Sequence, residues 1–143
     1  MLTSLHIKNY ALIEKLDVDF SSGFSVITGE TGTGKSVLLG AMSMLMGERS
    51  DAKHVREGAD KCVIEGCFDI SSLSLEEFFV ENELEYDASE CIVRRELSAT
   101  GRGRFFVNDT PVSAALLKGR GEREEKGSGD SLGHQPLAVL IVG

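Results

Sequence analysis

The sequence predicts an α/β fold built around a phosphate-binding loop, and three observations predict it. The first is the octapeptide Gly29-Glu30-Thr31-Gly32-Thr33-Gly34-Lys35-Ser36, which fills every fixed position of the pattern G-x-x-x-x-G-K-[ST]. The second is its setting. A β-branched apolar run, Phe24-Ser25-Val26-Ile27-Thr28, precedes it, and a mostly apolar stretch from Ser36 to Met46 follows, so strand, loop and helix come in the order the motif requires. The third is a series of alternating apolar and polar segments on either side, which read as half-buried strands.

Each fixed position has a physical task. Gly29 and Gly34 permit φ > 0, so that successive N–H groups converge on one anion. Gly32 keeps a Cβ out of the path of a phosphate. Lys35 is expected to reach the β- and γ-phosphates as a point charge, and Ser36 to offer its hydroxyl to Mg²⁺. The competing reading, a glycine turn before a core helix, is the weaker one because both flanking elements are in place.

The remaining elements follow along the chain. Leu5-His6-Ile7-Lys8-Asn9-Tyr10 and Leu16-Asp17-Val18-Asp19-Phe20 alternate as two strands, and Ser21-Ser22-Gly23 turns the chain into the strand before the loop. The long helix closes at Gly47, a glycine C-cap. Residues from Gly47 to Asp60 read as a polar loop, and those from Cys62 to Ile70 as a largely buried strand. Ser74-Leu75-Glu76-Glu77 fits the capping box S-x-x-E, with Leu75, Phe78 and Phe79 giving the short helix after it an apolar face. Cys91-Ile92-Val93 and Arg104-Phe105-Phe106-Val107 are strand-like, with Gly101-Arg102-Gly103 between them as a hairpin loop. Asn108-Asp109-Thr110-Pro111 makes a turn, and Ser113 caps a helix through Ala114, Ala115, Leu116 and Leu117.

After Lys118 the character changes. Gly119 to Gly133 is rich in Gly and charge without hydrophobic period, which predicts a poorly ordered tail. The closing run from Pro136 to Gly143 reads as a strand that would be aggregation-prone if exposed. The domain reading is therefore a lobe over residues 1–118 and a divergent tail over 119–143.

Composition narrows the function classes. An apolar content of 41% supports a real core, and the absence of Trp makes it mainly aliphatic. A formal charge of −8 argues against a simple basic nucleic-acid binder. Cys62, Cys67 and Cys91 lack C-x-x-C spacing, and Cys62 and Cys67 point to opposite faces of one strand. Buried thiols in a reducing cytoplasm fit them better than zinc or a disulfide frame. The N-terminus lacks the layout of a signal peptide, and no apolar run is long enough to span a bilayer; the expectation is a cytoplasmic protein without a membrane partner.

Other candidates carry less. Arg94, Arg95, Arg102 and Arg104 are clustered in sequence and could contact phosphates, although a solvated hairpin face balanced by Glu90 and Glu96 is the preferred reading. Lys53, His54 and Arg56 read as surface loop residues near Glu57. His6 points outward from its strand with no metal or catalytic neighbour in sequence. Glu76-Glu77 and Glu124-Glu125 read as solvated charges.

Several segments together carry a family resemblance: Leu5 to Ile13, the strand ending at Phe20, Val26 to Ser36, Gly47-Glu48-Arg49-Ser50, and Gly103-Arg104-Phe105-Phe106-Val107-Asn108. Over about residues 1–118 they resemble the N-terminal ATPase segment of the RecN family, bacterial DNA-repair members of the SMC-like ABC ATPases. The resemblance implies a P-loop NTPase fold of α/β class, the N-terminal lobe of an ABC/SMC-type head with a β-rich subdomain, incomplete by itself. It implies ATP and Mg²⁺ as cofactors. Gly29, Gly32, Gly34 and Lys35 would bind phosphates, Ser36 would help hold Mg²⁺, and Glu30, Thr31 and Thr33 would contribute backbone amides. It further implies head-to-head homodimers in the full-length family, contact with DNA through the complete assembly, and a nucleoid-associated place in the bacterial cytoplasm. Function would lie in double-strand-break repair and recombination.

The chain departs from that family after Lys118. No four-apolar-then-Asp-Glu Walker B run, signature motif or heptad arm is present in these residues, and Gln135 lacks a strand-end context. ATP binding without hydrolysis by this chain alone is the resulting expectation. Two alternatives stay open: another P-loop kinase or NTPase, and a nucleotide-dependent interaction module without turnover. A GTPase would need N-K-x-D, which is missing, and Asp130-Ser131-Leu132-Gly133 mimics D-x-x-G only within the tail.

Overall fold

The computed structural model describes residues 2–20, 32–49, 52–118 and 136–142. The strand expected over Phe24 to Thr28 and most of the tail lie outside the described residues. Six strands, β1 (Leu2–Tyr10), β2 (Ile13–Asp19), β3 (Lys61–Phe68), β4 (Cys91–Ser98), β5 (Gly103–Val107) and β6 (Thr110–Val112), form one sheet. Its order is β2-β1-β3-β4-β5-β6, and every neighbouring pair is antiparallel. Among the described residues four α-helices accompany it: α1 (Gly32–Leu45), α2 (Glu76–Glu81), α3 (Ala114–Lys118) and α4 (Leu137–Val142).

Alternation in the sequence sets the two faces of the sheet. In β3, Cys62, Ile64, Gly66 and Phe68 are buried while Val63, Glu65 and Cys67 are partly exposed, as a period of two requires. In β4, Cys91, Val93, Arg95 and Leu97 form the buried set. Register then lines up like faces: Ile64 lies opposite Ile7 on one side and Arg95 on the other, and Arg95 lies opposite Phe105.

Helix α1 covers the inner face. Its Ala41, Met44 and Leu45 are buried in one cluster with Leu5, Ile7, Ile64, Phe68, Val93 and Leu97. Two glycines let it sit close. A Cβ on Gly66 would lie 2.7 Å from Leu45 Cδ2, and one on Gly40 would lie 2.5 Å from the Tyr10 hydroxyl oxygen. The helix closes as expected at Gly47, whose φ is 104°. Gly47 N–H donates to Met44 O at 3.1 Å and Glu48 N–H to Ser43 O at 3.0 Å, the paired bonds of a Schellman motif.

The turns obey local chemistry. Asn108 and Asp109 take φ of 49° and 69° between the paired residues Val107 and Thr110, a two-residue hairpin turn of the kind Asn and Asp tolerate. Asn108 also holds its surroundings: its amide Nδ2 donates to Glu85 O at 2.7 Å and its Oδ1 accepts from Ile92 N–H at 2.8 Å. Ser113 Oγ accepts from Leu116 N–H at 3.2 Å, so the expected cap of α3 is present.

Two expectations need correcting. Ser74 does not cap α2: the cap position is Leu75 and no side chain bonds the first turn. Ser74 takes φ of 52°, so the chain enters the helix from a left-handed residue rather than from the extended conformation a capping serine adopts. Docking of Leu75 and Phe79, both buried, holds the helix instead. The closing run is a helix rather than a strand. Leu137 and Ile141, one helical turn apart, are buried in the main cluster, and α4 contacts α3. The β-branched residues there favour a strand locally, and packing of one helical face overrides that preference. No helix among the described residues is long and apolar enough to cross a membrane.

Candidate nucleotide-binding site

The loop motif is divided by what the structure describes. Gly29, Glu30 and Thr31 lie outside the described residues, whereas Gly32, Thr33, Gly34, Lys35 and Ser36 form the start of α1. That first turn leaves N–H groups without helical acceptors and carries the positive end of the helix dipole. It contains no acidic residue, so no carboxylate within that turn competes for the place an anion would take. Ser36 is exposed, which leaves its hydroxyl open to a ligand.

The far end of the helix is held by a buried arginine. Arg95 is only 8% exposed, and its Nη1 donates to Met44 O at 2.7 Å and to Glu48 O at 2.6 Å. The guanidinium carbon stands 4.6 Å from the centroid of the Phe105 ring. Burial pulls the Arg95 pKa down, with the nearby Cys62 acting in the opposite direction. A guanidinium nonetheless stays protonated at neutral pH.

The structure separates the arginines that are clustered in sequence. Arg94 faces the opposite side of the sheet, 2.8 Å from Asp109 and 3.2 Å from Glu96, with its guanidinium 4.4 Å from the Phe106 centroid. Burial pulls its pKa down, but the Asp109 hydrogen bond and the charges of Glu96, Asp109 and Glu65 outweigh that and raise it. Lys61 joins Glu96 at 3.3 Å. Arg102 and Arg104 are exposed. The expected solvated face thus describes Arg102 and Arg104, whereas Arg94 is half-buried and balanced by Glu96 and Asp109 rather than Glu90, and Arg95 is buried. Strand parity was the available signal, because Arg95 shares its phase with Cys91, Val93 and Leu97.

The segment around Lys53, His54 and Arg56 is pinned to the first hairpin. Val55 is buried and bridges Tyr10, Ala11 N–H donates to His54 O and Arg56 N–H to Asn9 O, each at 2.8 Å, and the His54 ring stacks on Tyr10. His6 does face outward, with Nδ1 2.8 Å from Asp17 Oδ1. That bond, ahead of Lys15, holds the Asp17 carboxyl below its ordinary value.

The cysteines behave as two classes. Cys62 and Cys91 are fully buried and Cys67 is partly exposed. Burial pushes the thiols of Cys62 and Cys91 up to about 11 and about 12. In the native protein at pH 8, iodoacetamide is therefore expected to modify Cys67 and spare the other two until denaturant is added, as peptide mass mapping will show. A raised thiol pKa has a defined sign for stability. The contribution is fully present below the unfolded value of about 8.5 and is lost as pH climbs through about 11.

A family model described as AAA domain matches residues 4–130. The chain belongs to that family of AAA domains. Among individual proteins, it is 42% identical over 121 residues to the DNA repair protein RecN of Haemophilus influenzae, covering 82% of this chain and 22% of that relative. The chain thus spans under a quarter of the length of the curated relatives it matches. In solved structures, the Smc head domain from Pyrococcus furiosus, bound to the C-terminal domain of ScpA, aligns with a TM-score of 0.63 at 20% identity, over 81% of this chain and 31% of that one. The recombination mediator RecF aligns with a TM-score of 0.61 at 20% identity, over 84% of this chain and 30% of that one. These two likenesses define the fold: the described sheet and helices share the fold of part of the Smc head domain and of RecF.

Proposed function

We propose that this chain binds Mg·ATP as the N-terminal lobe, about residues 1–118, of a RecN-like ATPase acting in bacterial DNA repair and recombination. The observation that carries the reading is the position of the loop motif. Its last five residues open a helix whose N-terminal turn lacks acidic side chains and whose body is docked on a sheet of SMC-head type. Gly29 to Lys35 would receive the phosphates through backbone N–H groups, with Lys35 adding its charge, and Ser36 would supply a hydroxyl to Mg²⁺. The exposed Ser36 hydroxyl and the carboxylate-free first turn fit that ion and its phosphates. When bound, Mg²⁺ supplies charge neutralisation between phosphate oxygens.

Holding and orienting ATP is the chemistry this residue set offers. Turnover needs in addition a group that orients water and donors that stabilise the transferring phosphoryl group. We assign those to a second lobe and a second head of the full-length assembly, which would also make the DNA contacts in the cytoplasm. Isothermal titration of the folded chain with ATP tests the first half. Saturable, Mg²⁺-dependent binding is expected, and at a hundredfold excess over Kd it stabilises the fold by about 2.7 kcal/mol. Folded protein that gives neither heat nor thermal shift would end the nucleotide reading.

A further inference from the structure

We propose that Arg95 is a positioning residue for the nucleotide-binding loop, acting from the opposite end of α1. An arginine at a core-facing position of a central strand is costly unless its charge is compensated. Its neighbours in phase, Val93 and Leu97, are apolar, so an aliphatic residue would satisfy packing there. The guanidinium is not needed to close the helix either, because Gly47 and Glu48 already do that with their own N–H groups.

Arg95 does something those bonds cannot. It joins strand β4 to two carbonyls on either side of the Gly47 turn, Met44 O and Glu48 O. Two acceptors on one nitrogen fix both the height of the helix end and its rotation about the axis. The charge also lies where the helix dipole is negative, which strengthens the tie. Midway along, Gly40 rests against the Tyr10 hydroxyl and gives the helix a pivot. Over 14 residues the helix is about 21 Å long. A small slip or rotation at Met44 is therefore delivered to the N–H groups of Gly32 to Ser36 at the other end.

The proposal rests on the nucleotide reading for its consequence, but its geometry can be tested without nucleotide. Arg95→Met keeps a side chain over Phe105 and removes the charge and donors. Arg95→Lys keeps the charge on a single atom that cannot reproduce the planar donor geometry. In nucleotide-free protein, the amide ¹H–¹⁵N signals of Gly32 to Ser36 are expected to move in the Met variant, and by less in the Lys variant. Where the wild type binds Mg·ATP, the Met variant should bind it about fivefold or more weakly. A purely structural role would lower the unfolding midpoint and leave those five signals and the affinity of the folded protein unchanged, and that result would overturn the proposal. Should the Met variant not fold, the Lys variant decides by the same signals. A wild type that fails to bind ATP sinks the nucleotide reading while the amide shifts still judge Arg95.

Discussion

Replacing Lys35 with alanine is expected to reduce Mg·ATP binding by about a hundredfold or more, with the fold intact. A hydrogen bond to a charged group contributes roughly 1.5–3 kcal/mol, and a lysine at the β- and γ-phosphates makes more than one such contact. Alanine is the best helix former, and position 35 lies inside the first turn of α1, so the substitution removes charge without breaking the element. Circular dichroism should match wild type, and the titration heat should disappear at ATP concentrations that saturate the parent chain. Wild-type affinity in Lys35→Ala would show that the loop is a glycine turn ahead of a core helix and nothing more.

The second large effect is on stability. Leu45 is fully buried, and its Cδ2 occupies the space that a side chain at position 66 would need. Leu45→Ala is expected to destabilise the fold by about 2–5 kcal/mol, since the cavity adds to the lost transfer energy. With urea m-values of about 1–3 kcal/mol/M, the unfolding midpoint should fall by about 1 M or more. The reciprocal change gives a sharper result. Gly66→Ala alone overpacks the contact and should cost about 1–3 kcal/mol, yet in the Leu45→Ala background the new methyl fills vacated space. The two costs should therefore sum to more than the double variant shows. Strict additivity in urea melts would mean that Leu45 and Gly66 do not share one contact.

How much of this was legible depends on the range of the forces involved. The loop motif could be read because its chemistry is local: glycine torsions, a lysine charge and a serine hydroxyl lie within eight consecutive positions. Strands such as β3 were legible because alternation reports which side faces the core. The Gly47 cap, the Asn108 turn and the Ser113 cap are likewise local. What escaped was decided by distant partners. Arg95 reads as one of several basic residues until β4 is placed beside the end of α1. The closing segment reads as a strand until Leu137 and Ile141 find the core. Ser74 fits a capping pattern, but the backbone that delivers it does not.

The two outer strands of the described sheet are poor templates for further growth. β2 carries Glu14, Lys15, Asp17 and Asp19 among its seven residues, and a charge-laden edge resists pairing with another chain. On the other side, β6 is three residues long and holds Pro111, which has no N–H to offer a neighbouring strand. Adding a further strand to the described sheet is therefore disfavoured at both margins. A partner that meets the described sheet at these margins would do so through side-chain surfaces, which can be formed and released without unzipping a sheet.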